Sequence, residues 1–404
     1  MNNLHYRITP IDPVISRDAR TFGAGSPMHV LSWPSQTLIA GAVRSVLWKI
    51  SSNQNERTRL ELIKQVKISG SFPVVNKIIY FPRALDIIQS IDKDKLKHIW
   101  QIRPMKAFPD NSGADMPLEG LLPAEPDSQD DFKPEKLDAF WSMDLMTQWL
   151  LDGKNNNFTL DENKTLASPS LDERVHVYIN PESGTSLDGK LFSTTGLDFT
   201  QFNKANNTFS QGQMSINITN SESESMPEES RDKKLCMSID DLLAELPEKF
   251  IAPVGGERRL AEFSRYDDDY TLWKYPANSD LKFSRGENNK LRLILATPAI
   301  FKQGWLPDFI NRVSLTGTLP GTKSKVKLIS AVTDRWLPVS GWGYERGREG
   351  PKPMRRAVPS GSVYFLEVIE GSINIKDIWL KSICQDKQDI NDGFGLVLAG
   401  AGQW

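Results

Sequence analysis

The sequence contains few of the residues on which metal-binding and disulfide-bonded proteins depend. It has two cysteines, Cys236 and Cys384, and four histidines among 404 residues. Two cysteines that lie far apart form neither a CxxC pair nor a disulfide framework, and this usage indicates a reducing compartment. No group of His, Cys and Asp has the spacing of metal ligands, and no Walker-type phosphate loop or GGDD motif occurs. We therefore expect no metal, no cofactor and no nucleotide chemistry.

Long apolar runs and an excess of positive charge are also missing. No apolar stretch is long enough to cross a bilayer, and the segment "MNNLHYRITPIDPVISRDAR" lacks the apolar core of a signal peptide. These features predict a cytoplasmic protein with no membrane partner. The 49 Lys and Arg residues face 51 Asp and Glu residues, so the formal net charge is -2. A globally basic nucleic-acid coat is excluded, and any RNA must bind at a local patch.

The rest of the composition is typical of a globular protein. Hydrophobic residues make up 39% of the chain and charged residues 25%, and the length suffices for two domains with their own cores. Apolar residues at helical spacing predict a helix in "PSQTLIAGAVRSVLWKI" with Ser35 as its N-cap, and further helices at 134–151 and in "SIDDLLAELPEKF". Short alternating strands lie between them without a regular βαβα order. The pattern therefore predicts an α+β fold.

A change along the chain, from a segment that mixes helices and strands to one rich in short strands, predicts two domains, residues 1–165 and residues 166–404. The second domain is expected to contain an insertion at 203–234, because that stretch is polar, partly acidic and poor in large apolar residues. We expect the insertion to be mobile and to avoid RNA, since acidic side chains repel phosphate.

The stretch "VGGERRLAEF", Val254–Phe263, places two glycines before an acid and two arginines. Neighbouring glycines permit positive φ angles, and the exposed amides of such a loop hold anions, with arginines as additional donors. Phosphate is the expected anion. The alternative is a tight turn that leads into a strand.

The most basic stretch is "GWGYERGREGPKPMRRAVPSG", Gly341–Gly361. Five cationic side chains stand against two glutamates, and Trp342 and Tyr344 lie among them. Interleaved cationic and aromatic residues are typical of RNA-binding loops. The alternative is a solvated β-hairpin whose charge serves solubility.

Seven segments, taken in order, resemble one protein family. They are "PIDPVISRDARTFGAG", "WPSQTLIAGAVRSVL", "DERVHVYINPESGTSLDGKLFSTTGLDF", "VGGERRLAEF", "LATPAIFKQGWLPDF", "AVPSGSVYFLEV" and "DGFGLVLAGAGQW". Together they are similar to the third subunit of the Cmr complex, the type III-B CRISPR effector, which belongs to the RAMP superfamily. The resemblance runs from about Ile11 to the C-terminus. It departs at Thr21, where the family more often has proline.

The resemblance implies tandem ferredoxin-like (RRM-like) βαββαβ domains with long loop insertions. It also implies a non-catalytic subunit of an antiviral ribonucleoprotein. Such a subunit grips the repeat-derived 5′ tag of the CRISPR RNA (crRNA) and joins the large polymerase-like subunit to the backbone RAMP subunit. The resemblance implies target RNA as an indirect partner only.

Cationic side chains on phosphates and flat groups on splayed bases hold single-stranded RNA. Residues that serve this purpose in the matching segments and in the basic stretch Gly341–Gly361 are the predicted RNA-binding residues, together with glycines that let a backbone approach. They are Arg17, Arg20, Phe22, Gly23, Gly25, Arg44, Arg174, His176, Gly255, Gly256, Arg258, Arg259, Trp342, Tyr344, Arg346, Arg348, Arg355 and Arg356.

The same residues also fit structural roles and other functions. Arg17 and Arg20 flank Asp18, so they are equally suited to an ion pair, and His176 fits a half-buried strand position. An endoribonuclease of the RAMP kind that matures CRISPR RNA needs a general base and a general acid, and His29 is the candidate for such a role. A scaffold that bridges proteins without touching RNA is the third possibility.

Overall fold

The computed structural model of the chain describes residues 3–20, 28–51, 55–91, 97–108, 112–126, 133–151, 158–203, 208–221, 238–266, 273–276, 281–286, 288–345, 348–402 and 404. The chain divides into two compact units. Unit 1 comprises Met1–Val75, Ser168–Asp267 and Pro338–Arg355, and unit 2 comprises Asn76–Ala167, Asp268–Leu337 and Arg356–Trp404. The predicted division at 165 and 166 differs from this grouping, because strands that are distant in sequence pair within each unit.

The described residues form a mixed α+β structure that is rich in strands and has few helices. The helices are α1 (Gln36–Ile50), α2 (Glu56–Lys64), α3 (Met143–Leu151), α4 (Ile239–Ala244), α5 (Ile375–Ile378) and α6 (Lys387–Asn391). The strands are β1 (Leu4–Pro10), β2 (Val66–Val75), β3 (Ile78–Pro82), β4 (Ile87–Ile91), β5 (Lys97–Pro104), β6 (Ala124–Pro126), β7 (Pro134–Glu135), β8 (Phe140–Ser142), β9 (Thr165–Leu166), β10 (Ser170–Ile179), β11 (Ser186–Asp198), β12 (Thr200–Asn203), β13 (Thr208–Gln211), β14 (Gln213–Asn220), β15 (Lys249–Pro253), β16 (Leu260–Arg265), β17 (Lys282–Ser284), β18 (Lys290–Leu295), β19 (Thr316–Thr318), β20 (Lys325–Val332), β21 (Leu337–Val339), β22 (Trp342–Glu345), β23 (Arg348–Pro351), β24 (Arg355–Ala357), β25 (Val363–Glu370), β26 (Ser372–Asn374) and β27 (Val397–Ala401). None of the helices in the described ranges has the length and apolar character needed to cross a membrane.

Unit 1 is built on an antiparallel sheet with the order β15–β16–β1–β14–β2. Alternate residues of β1, such as Tyr6 and Ile8, are fully buried and share a hydrophobic core with residues of α1 and α4. Both helices begin where the sequence predicts. The Ser35 hydroxyl accepts the N–H of Leu38, and Ser238 forms a capping box with Asp241.

Strand β14 corrects the predicted insertion at 203–234. It lies within that range, yet it is an interior strand of the unit 1 sheet between β1 and β2. Met214, Ile216 and Ile218 are buried, while the polar residues between them lie on the opposite face. The prediction of one mobile insertion is therefore wrong for this strand. The acidic stretch at 222–237 lies outside the described residues.

Unit 2 contains a second antiparallel sheet with the order β19–β20–β25–β18–β27. Arg292 of β18 is fully buried and ion-paired to Asp86, with a distance of 2.6 Å between Nη1 and Oδ2. Its other guanidinium nitrogens donate to the carbonyl oxygens of Trp149 and Ala401 at 2.6 Å, and the Trp149 indole donates to Asp86 at 2.9 Å. This charge is thus buried with its hydrogen bonds satisfied.

Helix α3 is shorter than the predicted helix at 134–151. It begins at Met143, because Phe140–Ser142 instead form β8, which pairs with β3. The aromatic residues at helical spacing are therefore divided between a strand and a helix. Pairing with β3 places Phe140 and Trp141 in a strand despite their helical spacing.

Candidate nucleic-acid interface

The segment that follows β1, residues 14–20, is held by three other parts of unit 1. Backbone hydrogen bonds connect it to residues 29–31, to the glycine turn at 255–258 and to Pro338. They run from Leu31 N–H to Ser16 O (2.8 Å), from Asp18 N–H to His29 O (3.0 Å), from Gly256 N–H to Ile15 O (3.0 Å) and from Ala19 N–H to Pro338 O (3.2 Å). The glycine turn and the segment with Arg17 and Arg20, which were predicted separately from the sequence, therefore lie against each other.

The glycine turn lies directly against Ile15. Gly255 has a φ of 93°, and a β-carbon at this position would stand 2.5 Å from the Ile15 carbonyl oxygen. The N–H of Gly256 already donates to that same oxygen. The glycines thus permit a close approach of two backbone segments. The sequence predicted that the amides of this turn hold a phosphate, but the Gly256 N–H is already used within the protein.

The two arginines of the turn have different surroundings. Arg259 is ion-paired to Glu257 at 2.8 Å, and its side chain is 17% exposed. Arg258 is exposed, and within the described residues it has no hydrogen bond or ion pair. Glu257 and Arg258 both have positive φ, 56° and 54°. The turn therefore presents Arg258 to solvent while it neutralises Arg259.

Arg17 and Arg20 lie on the converging segment itself. Asp18 between them is buried, and its carboxylate pairs with Arg20 at 2.6 Å. Arg17 is exposed, and its backbone forms an antiparallel bridge to Val30. The structural alternative of an ion pair is thus confirmed for Arg20, whose side chain nevertheless remains 54% exposed. Phe22, Gly23 and Gly25 lie outside the described residues.

Arg44 lies on α1 in a structural position. Its Nη2 donates to the carbonyl of Val66 in β2 at 3.3 Å, and the residue is half-buried. The contact connects a helix to the strand beneath it.

The hairpin of β10 and β11 carries Arg174 and His176. Arg174 is ion-paired to Asp172 at 2.6 Å. The His176 ring stacks on Phe192 with centroids 5.1 Å apart, and its Nε2 lies 2.8 Å from the Thr194 hydroxyl. The hairpin exposes large apolar side chains, namely Leu171, Val175, Val177, Tyr178, Ile179, Leu187, Leu191 and Phe192. Both predicted residues therefore have intramolecular partners on an apolar surface.

The basic loop contains the hairpin of β22 and β23. Trp342 of β22 is exposed and lies opposite Pro351 of β23. The Thr37 hydroxyl donates to the Ser340 carbonyl at 3.0 Å, which connects the base of this hairpin to the start of α1. Arg346 and the side chains of Tyr344 and Arg348 lie outside the described residues, whereas Arg355 is half-buried and Arg356 is exposed.

The titratable groups of the described residues include one inert nucleophile. Burial raises the pKa of the Cys384 thiol to about 12. His29 is exposed, while His5 is buried. In the described ranges no group of three or more His, Cys, Asp and Glu residues is placed to hold a metal ion.

Trp336 is not among the residues predicted to bind RNA. It stands next to Arg335 in "TDRWLP", and the guanidinium of Arg356 lies over its ring at 4.9 Å. The Arg-Trp dipeptide between two predicted strands was the available signal.

The sequence matches the family model of CRISPR-associated proteins named Cas_Cmr3 over residues 6–402. The chain belongs to the Cmr3 family. The family predicted from seven segments is thereby confirmed, since the match covers nearly the whole chain. No protein among curated sequences matches it.

Solved structures of CRISPR effectors are similar to this Cmr3-family chain. A chain of a type III-B Cmr-β complex bound to cognate target RNA and AMPPnP is 15% identical, with a TM-score of 0.46, 89% of this chain covered and 86% of that chain. A chain of a type III-A Csm3–Csm4 subcomplex is 12% identical, with a TM-score of 0.35 and coverages of 91% and 94%.

Proposed function

We propose that this Cmr3-family chain is a non-catalytic RNA-binding subunit of a cytoplasmic type III-B effector ribonucleoprotein. It holds the repeat-derived 5′ tag of the crRNA and bridges the large polymerase-like subunit to the backbone RAMP subunit. Membership of the family supports the assembly. The arrangement of cationic residues in unit 1 supports the contact with RNA.

The observation that carries the proposal is the Gly256–Ile15 hydrogen bond of 3.0 Å. It fixes the turn that presents Arg258 against the segment that presents Arg17 and Arg20. All three side chains are exposed, although the chain as a whole carries a formal net charge of -2. Local cationic surface on a chain without net positive charge is where a phosphate backbone binds.

The strand orders support a ferredoxin-like plan for both units. In unit 1, β1, β2, β14 and β16 form the order β16–β1–β14–β2, with α1 after β1 and α4 after β14. The first and third strands are then central, as in a βαββαβ unit. Unit 2 repeats this order with β18, β20, β25 and β27, with α5 and α6 before the last strand. Its first crossover, residues 296–324, lacks an α-helix.

An apolar patch at the edge of the unit 1 sheet supports the bridging role. Ile251 and Leu260 lie on the same face of β15 and β16, and the N–H of Ile11 donates to the Leu260 carbonyl at 2.9 Å. All three side chains are exposed, at 58%, 40% and 56% for Ile251, Leu260 and Ile11. Clustered exposed aliphatic residues mark surfaces that a neighbouring protein covers. We expect Ile251→Asp to reduce incorporation into the co-expressed complex, while Val313→Asp, at the most exposed aliphatic residue among those that the structure describes, leaves it unchanged.

Crosslinking of tagged crRNA, followed by mapping of the crosslinked peptides, tests the RNA contact. The RNA carries 4-thiouridine within the tag, and the complex is assembled from co-expressed subunits. Crosslinks in residues 14–20 and 254–259 support the proposal. Crosslinks to other subunits alone favour the scaffold that touches no RNA.

One observation favours the alternative of a RAMP-type endoribonuclease. His29 is exposed, and its carbonyl accepts the N–H of Asp18, so it lies beside the proposed RNA surface. A gel with labelled repeat RNA separates the two functions. We expect no cleavage by the wild-type chain. Metal-independent cleavage that His29→Ala abolishes would establish the enzyme instead.

A further inference from the structure

Unit 2 presents a tryptophan stacked with an arginine at its surface. The Cζ atom of Arg356 lies 4.9 Å from the ring centroid of Trp336. Of the eleven tryptophans of the chain, Trp336 and Trp342 are the two that are exposed. We propose that Trp336, held by Arg356, is a stacking platform for one nucleobase of single-stranded RNA. This inference rests on the proposed RNA-binding function.

Trp336 exposes a large part of its indole ring to solvent. The residue is 41% exposed even with Arg356 in contact with its ring. An indole is a large apolar surface, and leaving it in water costs the free energy that burial against a flat partner recovers. The guanidinium fixes the ring in place, so little side-chain entropy is lost when a ligand stacks on it.

The charges around the ring indicate which flat partner fits. Arg335 and Arg356 are both exposed, and within the described residues neither side chain has a carboxylate partner. The Asp334 side chain accepts the N–H of Arg335 at 2.6 Å. Desolvation lowers the pKa of the half-buried Arg83, and the charges of Asp86 and then Asp334 oppose that shift. Two exposed arginines, Arg335 and Arg356, are therefore accompanied by one exposed carboxylate, Asp334, and the surface at the ring is net cationic.

A flat π surface with adjacent cations matches a nucleotide in both of its parts. The base stacks on the indole, and the phosphates on either side pair with the exposed arginines. A carboxylate of a protein partner satisfies the arginines alone and leaves the ring uncovered. RNA is thus the ligand that uses every exposed group of the site.

A second arginine–tryptophan stack in unit 1 provides a matched control. The Arg59 guanidinium lies 3.4 Å from the centroid of the Trp48 ring. Trp48 is only partly exposed and packs against the hydrophobic core of that unit. It therefore has the same chemistry in a structural setting.

The test is a cycle of variants in which the protein and the RNA are changed separately and together. Binding of tagged RNA to the assembled complex is measured for wild type and for Trp336→Leu. The RNA probes are the intact tag and a series in which one position at a time is abasic. For wild type we expect one abasic position to weaken binding about tenfold. Trp336→Leu weakens binding of the intact tag to the same extent and is insensitive to the abasic substitution at that position.

Controls separate stacking from folding. Trp336→Phe retains much of the affinity because it keeps a ring, and Trp48→Leu keeps the wild-type response to every abasic probe. Melting curves for each variant confirm that it is folded. Suppose that, at every position, the fold-losses of affinity caused by Trp336→Leu and by the abasic substitution multiply in the combination. The proposal of a stacking platform is then wrong, while the proposal of RNA binding stands. If the wild-type complex does not hold the tag at all, the proposed function fails, and the platform fails with it.

Discussion

Gly255 lies so close to Ile15 that a β-carbon on the glycine would meet the Ile15 carbonyl oxygen at 2.5 Å. The glycine also has a φ of 93°, a conformation that residues with side chains rarely adopt. This close approach, together with the Gly256–Ile15 hydrogen bond, is what connects the turn carrying Arg258 to the segment carrying Arg17.

Gly255→Ala is expected to lower the free energy of unfolding by roughly 1–3 kcal/mol, because the new methyl group combines a backbone clash with a strained φ. Gly184→Ala is the matched control. Gly184 has a similar φ of 68°, but a β-carbon there meets nothing within 4 Å. Urea denaturation of both variants measures the difference, and equal losses would contradict the importance of the Ile15 contact.

Strand β14 provides the second prediction. Ile218→Ala is expected to cost about 2–4 kcal/mol of unfolding free energy, since Ile218 is fully buried in an interior strand. Thr219→Ala, on the opposite face of the same strand, changes stability much less. Urea denaturation of the two variants provides the measurement. An unchanged stability of Ile218→Ala would support the mobile insertion expected from composition.

The sequence predicted the local elements better than their pairing. Helix caps depend on residues a few positions apart, so Ser35 and Ser238 were identifiable as N-caps from the sequence. The role of β14 was not identifiable, because an interior strand with alternate polar residues resembles a polar loop when its neighbours are unknown. Its pairing with β1 and β2 joins residues that are far apart in the sequence, since β1 is Leu4–Pro10, β2 is Val66–Val75 and β14 is Gln213–Asn220.

The candidate site shows the same limit. Arg17, Arg258 and Trp342 were selected from separate segments, and only the structure could show that Gly256 bonds to Ile15. Ion pairs were partly predictable, since the Asp18–Arg20 pair is local in sequence. The stack of Arg356 on Trp336 joins a residue of the basic loop to a residue before that loop, so the Arg335-Trp336 dipeptide alone did not indicate it.

The buried ion pair in unit 2 provides the third prediction. Arg292→Met leaves the fully buried Asp86 carboxylate without its cation and is expected to cost about 3–5 kcal/mol of unfolding free energy. Lys325→Met removes a cation from an exposed pair with Glu370 and is expected to change stability little. Thermal or urea denaturation compares the two variants. Similar effects of both would show that burial does not decide the contribution of this pair.

Cys384 provides the fourth prediction, in a Cys236→Ser background. Its pKa of about 12 predicts that iodoacetamide at pH 8.5 alkylates the folded chain far more slowly than the chain in denaturant. The raised pKa also implies stability that is present below the pKa of the unfolded thiol, near 9, and is lost as the pH rises toward about 12. Mass spectrometry of alkylated peptides over time measures the protection. Equal rates in the folded and unfolded chains would show that the thiol is accessible.

The central claim is that the exposed arginines beside Ile15 bind RNA phosphates, and the salt dependence of tag binding to the assembled complex tests it most directly. Arg258→Gln removes an exposed cation that has no partner within the described residues, whereas Arg259→Gln removes a neighbour already paired to Glu257. A plot of the logarithm of the binding constant against that of salt concentration is expected to lose roughly 0.7 units of slope in Arg258→Gln, one single-strand phosphate contact. Arg259→Gln is expected to keep the wild-type slope. An unchanged affinity and slope in Arg258→Gln would contradict the claim.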